Sequence, residues 1–331
     1  MRALAIALLF WIATATAQSA ADRDARLVHA RRLLEAGKPA EAVATLGGLD
    51  AEDDRVALVL GVAHYRLDDP VEAISHLAPL LPRLSTGSPE RREAVEVLGL
   101  SYYQAGRLPE ALPLLEELRT WAADRMELNH VLGIAYIQTR QPVKARTTLA
   151  EAFGVAPDSA AAWLLLAQMM IRVEFHDAAD EALRRALAIE PRLPHAHFLL
   201  GQNAVHRARM DDAIDHFQKE LDVNPANSMA HYLLGEALGR QQQWDRAIAA
   251  LRKSLWINPY FSGPLIVLGR AYLAKGQPDT AEGLLRRAVA YDPNNRAAHY
   301  LLGQTLQKLG REEEAAQAFD AAARLQDGPP R

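Results

Sequence analysis

Pro157, Pro191, Pro225, Pro259 and Pro293 stand 34 residues apart without a slip. A chain with that period is built from repeated units, each burying its apolar face against its neighbours. Three further columns keep the same phase. One runs Gly99, Gly133, Ala167, Gly201, Gly235, Gly269 and Gly303; another runs Ala111, Ala145, Ala179, Ala213, Ala247, Ala281 and Ala315. The last is large and apolar: Leu115, Leu149, Leu183, Phe217, Leu251, Leu285 and Phe319. Chance supplies one such column, hardly four in common register. Each unit reads as two helices, A and B. The small residue of helix A and the alanine opening helix B are expected to face each other, letting the helices approach closely. The Leu or Phe four residues after that alanine shares its helical face and is expected to fill the seam to the next unit. Proline near the unit's end stops helix B, because it has no N–H and clashes with the preceding turn.

The links between helices are short and punctuated. Gly37, Gly106 and Gly276 supply turns, while Pro39, Pro70, Pro142 and Pro278 sit where a second helix opens and tolerates a missing N–H. Asp177, Asp211, Asp245 and Asp279 occupy the same place, beside the positive end of the helix.

This pattern resembles the tetratricopeptide repeat family. The stretch Leu265, Leu268-Gly269, Tyr272, Ala281, Leu285, Ala288, Pro293 follows the family's order, and Trp163, Ala167, Ala179, Leu183, Ala186, Pro191 gives a second copy. Nine units are expected, starting near residues 23, 54, 92, 126, 160, 194, 228, 262 and 296 and covering 23–329. The resemblance implies an all-α, right-handed solenoid of helix-turn-helix pairs. The second unit carries extra residues in Pro82–Pro89, a loop from which Ser88-Pro89 restarts a helix. The final unit ends in Gly328-Pro329-Pro330 rather than a capping helix, so its open end is either softened by Ala and Gln or used as a homodimer contact.

Before the repeats, Met1-Arg2 precedes an uncharged apolar run, Ala3–Ala13, and the small-x-small triplet Ala15-Thr16-Ala17. That order reads as a secretory signal peptide, residues 1–17, with a short linker at 18–22 and Gln18 opening the mature chain. The run is shorter than the roughly 20 residues of a membrane helix, so retention as an anchor is the lesser reading, and no span is expected after cleavage. Export of a chain with no cysteine fits a bacterial periplasm. The missing cysteine also removes disulfides, thiolate catalysis and Cys-based metal sites. Net charge is −4 with both signs interleaved, which disfavours nucleic acid.

The resemblance places a ligand groove on the helix A faces, at one face of helical spacing. Mapped onto this chain it gives Tyr65, Tyr103, His130, Gln168, Arg172, Phe198, Gln202, Tyr232, Glu236, Arg270, Tyr300 and Gln304 as partner-binding residues. Aromatic rings and arginines dominate interface energy, and amides pair with a peptide backbone. The expected partner is therefore a protein or peptide. His197, His231 and His299 repeat one register position too far apart to share a metal, and no catalytic or phosphate-loop motif is present. The chain is thus expected to be a non-catalytic scaffold or adaptor of the cell envelope, without metal or cofactor. The alternative is a membrane-tethered subunit of polysaccharide-export, secretion or outer-membrane assembly machinery.

Overall fold

A computed structural model describes residues 21–325; the leader read at 1–17 and the Gly-Pro-Pro terminus lie outside the described residues. The chain divides into two units, Met1–Pro157 and Asp158–Arg331. In the first, α1 (residues 21–35), α2 (Pro39–Leu46), α3 (Asp54–Arg66), α4 (Pro70–Leu80), α5 (Pro89–Gln104), α6 (Leu108–Arg119), α7 (Met126–Gln138) and α8 (Pro142–Ala152) follow one another as antiparallel pairs. The second holds α9 (Ala160–Arg172), α10 (His176–Ile189), α11 (Ala196–His206), α12 (Met210–Val223), α13 (Ser228–Arg240), α14 (Trp244–Ile257), α15 (Ser262–Ala274), α16 (Pro278–Tyr291), α17 (Arg296–Lys308) and α18 (Glu312–Arg324). The described residues are therefore all-helical, and each unit is a stack of hairpins. Helical structure already includes residues 21 and 22, which the sequence assigns to a linker. No helix among the described residues is long and apolar enough to cross a membrane.

Local chemistry explains the punctuation. Asp53, Ser88, Ser159, Asn227 and Asn295 each accept a backbone N–H from the first turn of α3, α5, α9, α13 and α17. Pro39, Pro70, Pro142 and Pro278 open α2, α4, α8 and α16, as their spacing predicts. The alanine column is fully buried, with Ala145, Ala179 and Ala213 all at 0% exposure. Gly235 approaches its alanine as expected, a Cβ there lying 3.2 Å from the Ala247 carbonyl oxygen, but the nearest side chains to Gly133, Gly201, Gly235, Gly269 and Gly303 are those of the large apolar column. A Cβ placed on Gly201 would lie 2.5 Å from the Phe217 ring, and one on Gly269 would lie 2.6 Å from Leu285. Gly133 and Gly235 oppose Leu149 and Leu251 in the same manner. The large apolar column thus locks helix B onto the glycine of its own helix A. At the seam after the α15–α16 hairpin, Leu265, Ala288 and Ala298 form a buried cluster with Leu255 and Ile266 packed around them.

The A-to-B turns form a further column that the glycines only partly reveal. Gly106, Arg140, Glu174, Ala208, Gln242, Gly276 and Gly310 all adopt positive φ, between 56° and 74°. For a residue with a Cβ the left-handed region costs about 1–2 kcal/mol, and the side chains of Glu174, Ala208 and Gln242 are exposed. Glycine gives back part of that gain in chain entropy. Combining Glu174→Gly, Ala208→Gly and Gln242→Gly is expected to stabilise the protein by about 1–2 kcal/mol. Urea unfolding followed by circular dichroism reads this directly; an unchanged midpoint would show that these turns are not strained.

Two buried polar knots break the apolar monotony of the second unit. Asp180 of α10 accepts from the Asn203 amide (2.9 Å) and meets the guanidinium groups of Arg207 and Arg209 at 3.4 Å. Glu220 of α12, at 0% exposure, accepts from the backbone N–H of His195 at 3.0 Å and of Phe198 at 3.4 Å. His195 stands at φ 73° and contributes no side-chain cap to α11, so Glu220 serves that helix end from across the hairpin.

Candidate functional site

The helix A residues proposed from the sequence fall into two groups, one in each unit. In the first, Tyr65 of α3, Glu96 of α5 and Arg125 just before α7 come together, with Arg125 Nη1 donating to Glu96 Oε1 at 2.6 Å. Burial raises the Tyr65 pKa, Glu96 raises it further, and Arg125 opposes the shift. Tyr103 is half-buried, and burial likewise raises its pKa. His130 is half-buried on α7. These side chains present hydroxyls and one carboxylate–guanidinium pair over a partly apolar surface.

The second unit gathers more. Helices α13, α15 and α17 touch in succession. Tyr232 of α13 lies beside Glu236 one turn on, and Glu236 accepts from Arg240 at 2.9 Å. Burial and then the Glu236 charge push the Tyr232 pKa up to about 12, against the pull of Arg270 and Arg240. Phe261 packs edge-on to the Tyr232 ring at 5.0 Å. Gly239 leaves room for the Arg270 guanidinium, whose Nη2 would lie 4.0 Å from a Cβ there. Gln168 and Gln304 are half-buried, whereas Arg172, Gln202 and Arg270 are exposed. Tyr300 is 49% exposed and rests on Phe319 of its own hairpin at 5.6 Å. The arrangement offers a fixed phenol, a paired carboxylate and free guanidinium and amide groups, which suits hydrogen bonding to a polypeptide rather than bond-making.

Phe198 needs correction. It is 6% exposed, stacked on His195 at 4.9 Å and tilted against Phe217 at 6.1 Å. The left-handed His195 lays its ring over this residue, and Phe217 stands where most units have leucine. Phe198 is core, not a groove anchor. Conversely, Arg125, Arg240 and Phe261 join the two groups although spacing did not single them out. Arg125 and Phe261 precede helices A, at a position the units fill with unlike residues; Arg240 ends α13 in the register of Arg172, the one position of the three that the repeat could have pointed to.

Histidines pair more than their register implied. His197 Nδ1 lies 3.2 Å from His216 Nδ1, and His176 stacks on His206 at 4.3 Å. Burial lowers the pKa of both His197 and His216, with each other or Lys219 adding to the effect. Among the described residues no group of three His, Asp or Glu side chains is placed to hold a metal.

The tetratricopeptide repeat pattern matches residues 27–89, 78–125, 171–222, 198–260 and 266–330, and a second form of it matches 102–169. Among solved structures, PilF of Pseudomonas aeruginosa is 20% identical with a TM-score of 0.50, over 62% of this chain and 93% of that one. PilW, described as a widely conserved type IV pilus biogenesis factor, is 22% identical with a TM-score of 0.49, over 61% and 94%. YrrB, described as a repeat protein with an unusual peptide-binding site, is 22% identical with a TM-score of 0.48, over 56% and 93%. At such identities the likeness is one of fold. No curated protein matches the sequence.

Proposed function

We propose, because this chain belongs to the tetratricopeptide repeat family of protein–protein interaction scaffolds, that it is a non-catalytic adaptor gripping a peptide or protein on its helix A faces. The observation that carries the reading is the Tyr232–Glu236–Arg240 chain beside Arg270. A half-buried phenol packed edge-on against Phe261 is held in place before a partner arrives, so little side-chain entropy is lost on binding. Arg270, Gln202 and Tyr300 then supply exposed donors and an aromatic surface of the types that concentrate interface energy. The leader-like residues 1–17 support placing this adaptor in the bacterial periplasm, gathering envelope proteins. A mature N-terminus at Gln18, read by mass spectrometry, is expected; an intact Met1 on membrane-bound protein would favour the tethered alternative.

The site test uses exposed positions, so that folding is not at stake. Mature protein immobilised on resin is expected to retain a specific partner from envelope extracts. The combined Arg270→Ala and Tyr300→Ala substitutions are expected to weaken that partner by about 2 kcal/mol, some thirtyfold, with the circular dichroism spectrum unchanged. Equal retention by the double variant would remove the helix A face from the reading.

A further inference from the structure

Helix α13 has two working faces. Tyr232, Glu236 and Arg240 lie on one. His231, Leu234 and Leu238, at the opposite helical angle, floor a cavity of about 940 Å³ walled by α12 and α14. Trp256 stands on its rim at 85% exposure. The other units show how unusual this is. In the register position of Trp256 the units in common phase carry Thr120, Gly154, Ala188, Asp222, Ala290 and Arg324. Among them this unit alone places an aromatic ring there, beside the small Ala249 of the lining. A largely exposed indole bordering an apolar floor forms a surface patch of the kind that marks an interaction site.

Charge indicates what covers it. Arg246 and Lys253 of α14 both line the cavity, seven residues apart and so on one helical face. Neither has a carboxylate partner among the described residues; Arg246 donates only to the neutral Gln243 side chain. The facing wall from α12 offers Gln218 and Asp222. The floor adds one acceptor: His231, 7% exposed, donates from Nε2 to the Pro225 carbonyl at 3.0 Å, leaving a buried Nδ1 with no partner. Burial keeps this imidazole's pKa low. The walls are helices with no open strand edge, which excludes β-addition. From Arg246 to Ile257 the groove runs about 16 Å, three helical turns.

We propose that this groove docks an amphipathic helix of a partner protein, its apolar stripe against Trp256, Leu234 and Leu238 and its acidic flank along Arg246 and Lys253. The mode is a helix laid in a groove, on a face distinct from the one carrying Tyr232 and Arg270, so one chain would hold two partners at once.

The test uses the mature chain and a set of amidated amphipathic peptides of about 17 residues, identical in their leucine stripe and flanked by Glu, Gln or Lys. Glu-flanked peptides are expected to bind saturably, shifting tryptophan emission to the blue, with Lys-flanked ones about tenfold weaker. Trp256→Ala is expected to weaken the Glu-flanked peptides about thirtyfold, and Arg246→Glu with Lys253→Glu to reverse the flank preference. All three side chains are exposed, so the variants should keep the wild-type circular dichroism. The proposal is overturned if Glu-flanked peptides do not bind, if flank charge makes no difference, or if Trp256→Ala binds as the wild type does. Self-association in sedimentation runs that Trp256→Ala abolishes would also overturn it, by giving the groove to a second copy. Arg270→Ala with Tyr300→Ala is expected to leave peptide binding here unchanged, which keeps the two faces separable.

Discussion

Glu220→Ala is expected to destabilise the protein by about 3–4 kcal/mol, a large share of what holds a single domain together. Its carboxyl oxygens accept the His195 and Phe198 backbone N–H groups and the Asn227 amide, and water cannot replace them at a fully buried position. Each donor left without a partner costs about 1–3 kcal/mol; partial access at His195 holds the sum toward the lower end. Glu220→Gln keeps one accepting oxygen but turns an amide NH2, itself a donor, toward the same donors, so about half the loss is expected. Urea unfolding gives the magnitude. Hydrogen exchange gives the place, because the His195 and Phe198 amides should speed up before those of α15 and α16. A Glu220→Ala midpoint matching the wild type would mean that α11 is capped by something else.

That glutamate also shows what the sequence does and does not disclose. The late column of helix B reads Ala186, Glu220, Ser254 and Ala288, and the two polar residues are visible as breaks in an alanine series. The partners that make the breaks tolerable are not visible. Ser254 is answered by Ser228 at 3.1 Å, from the start of the partner helix in its own hairpin, and Glu220 by a turn 25 residues earlier. Periodicity assigns a residue to a face; it does not say which atom of another element stands opposite. The same limit explains the three aromatics at one register position. Phe198 is core, Tyr232 is half-buried against Phe261, and Tyr300 is open. They share one register position, and their fates are set by neighbouring loops: Pro194 and a left-handed His195 just before one, Phe261 reaching over from the next hairpin onto another. Helix number, turn positions and the small-residue columns were legible because each is fixed within a single unit. Trp256 was missed, because its register position carries no consistent residue type against which an indole would stand out.

Gly201→Val should cost about 2–3 kcal/mol, and the reason distinguishes the two accounts of the glycine column. If glycine merely met alanine, one added side chain would find space. Instead its Cβ would fall 2.5 Å and 2.7 Å from two atoms of the Phe217 ring, and that ring is at 0% exposure with nowhere to turn. Ala167 and the fully buried Leu183 hold the same two register positions, so the repeat already accommodates alanine with leucine there. A double-mutant cycle therefore separates packing from helix propensity. Gly201→Ala gains about 1 kcal/mol of propensity but overpacks against the ring, whereas the same change with Phe217→Leu reproduces the Ala167–Leu183 pair. The cycle is expected to show a favourable coupling of about 1–2 kcal/mol. Additive single effects would mean that the hairpin opens freely at this point. Such an opening would displace Gln202, the next residue along α11 and an exposed member of the binding face, so the closeness of this contact sets how precisely the face itself is held.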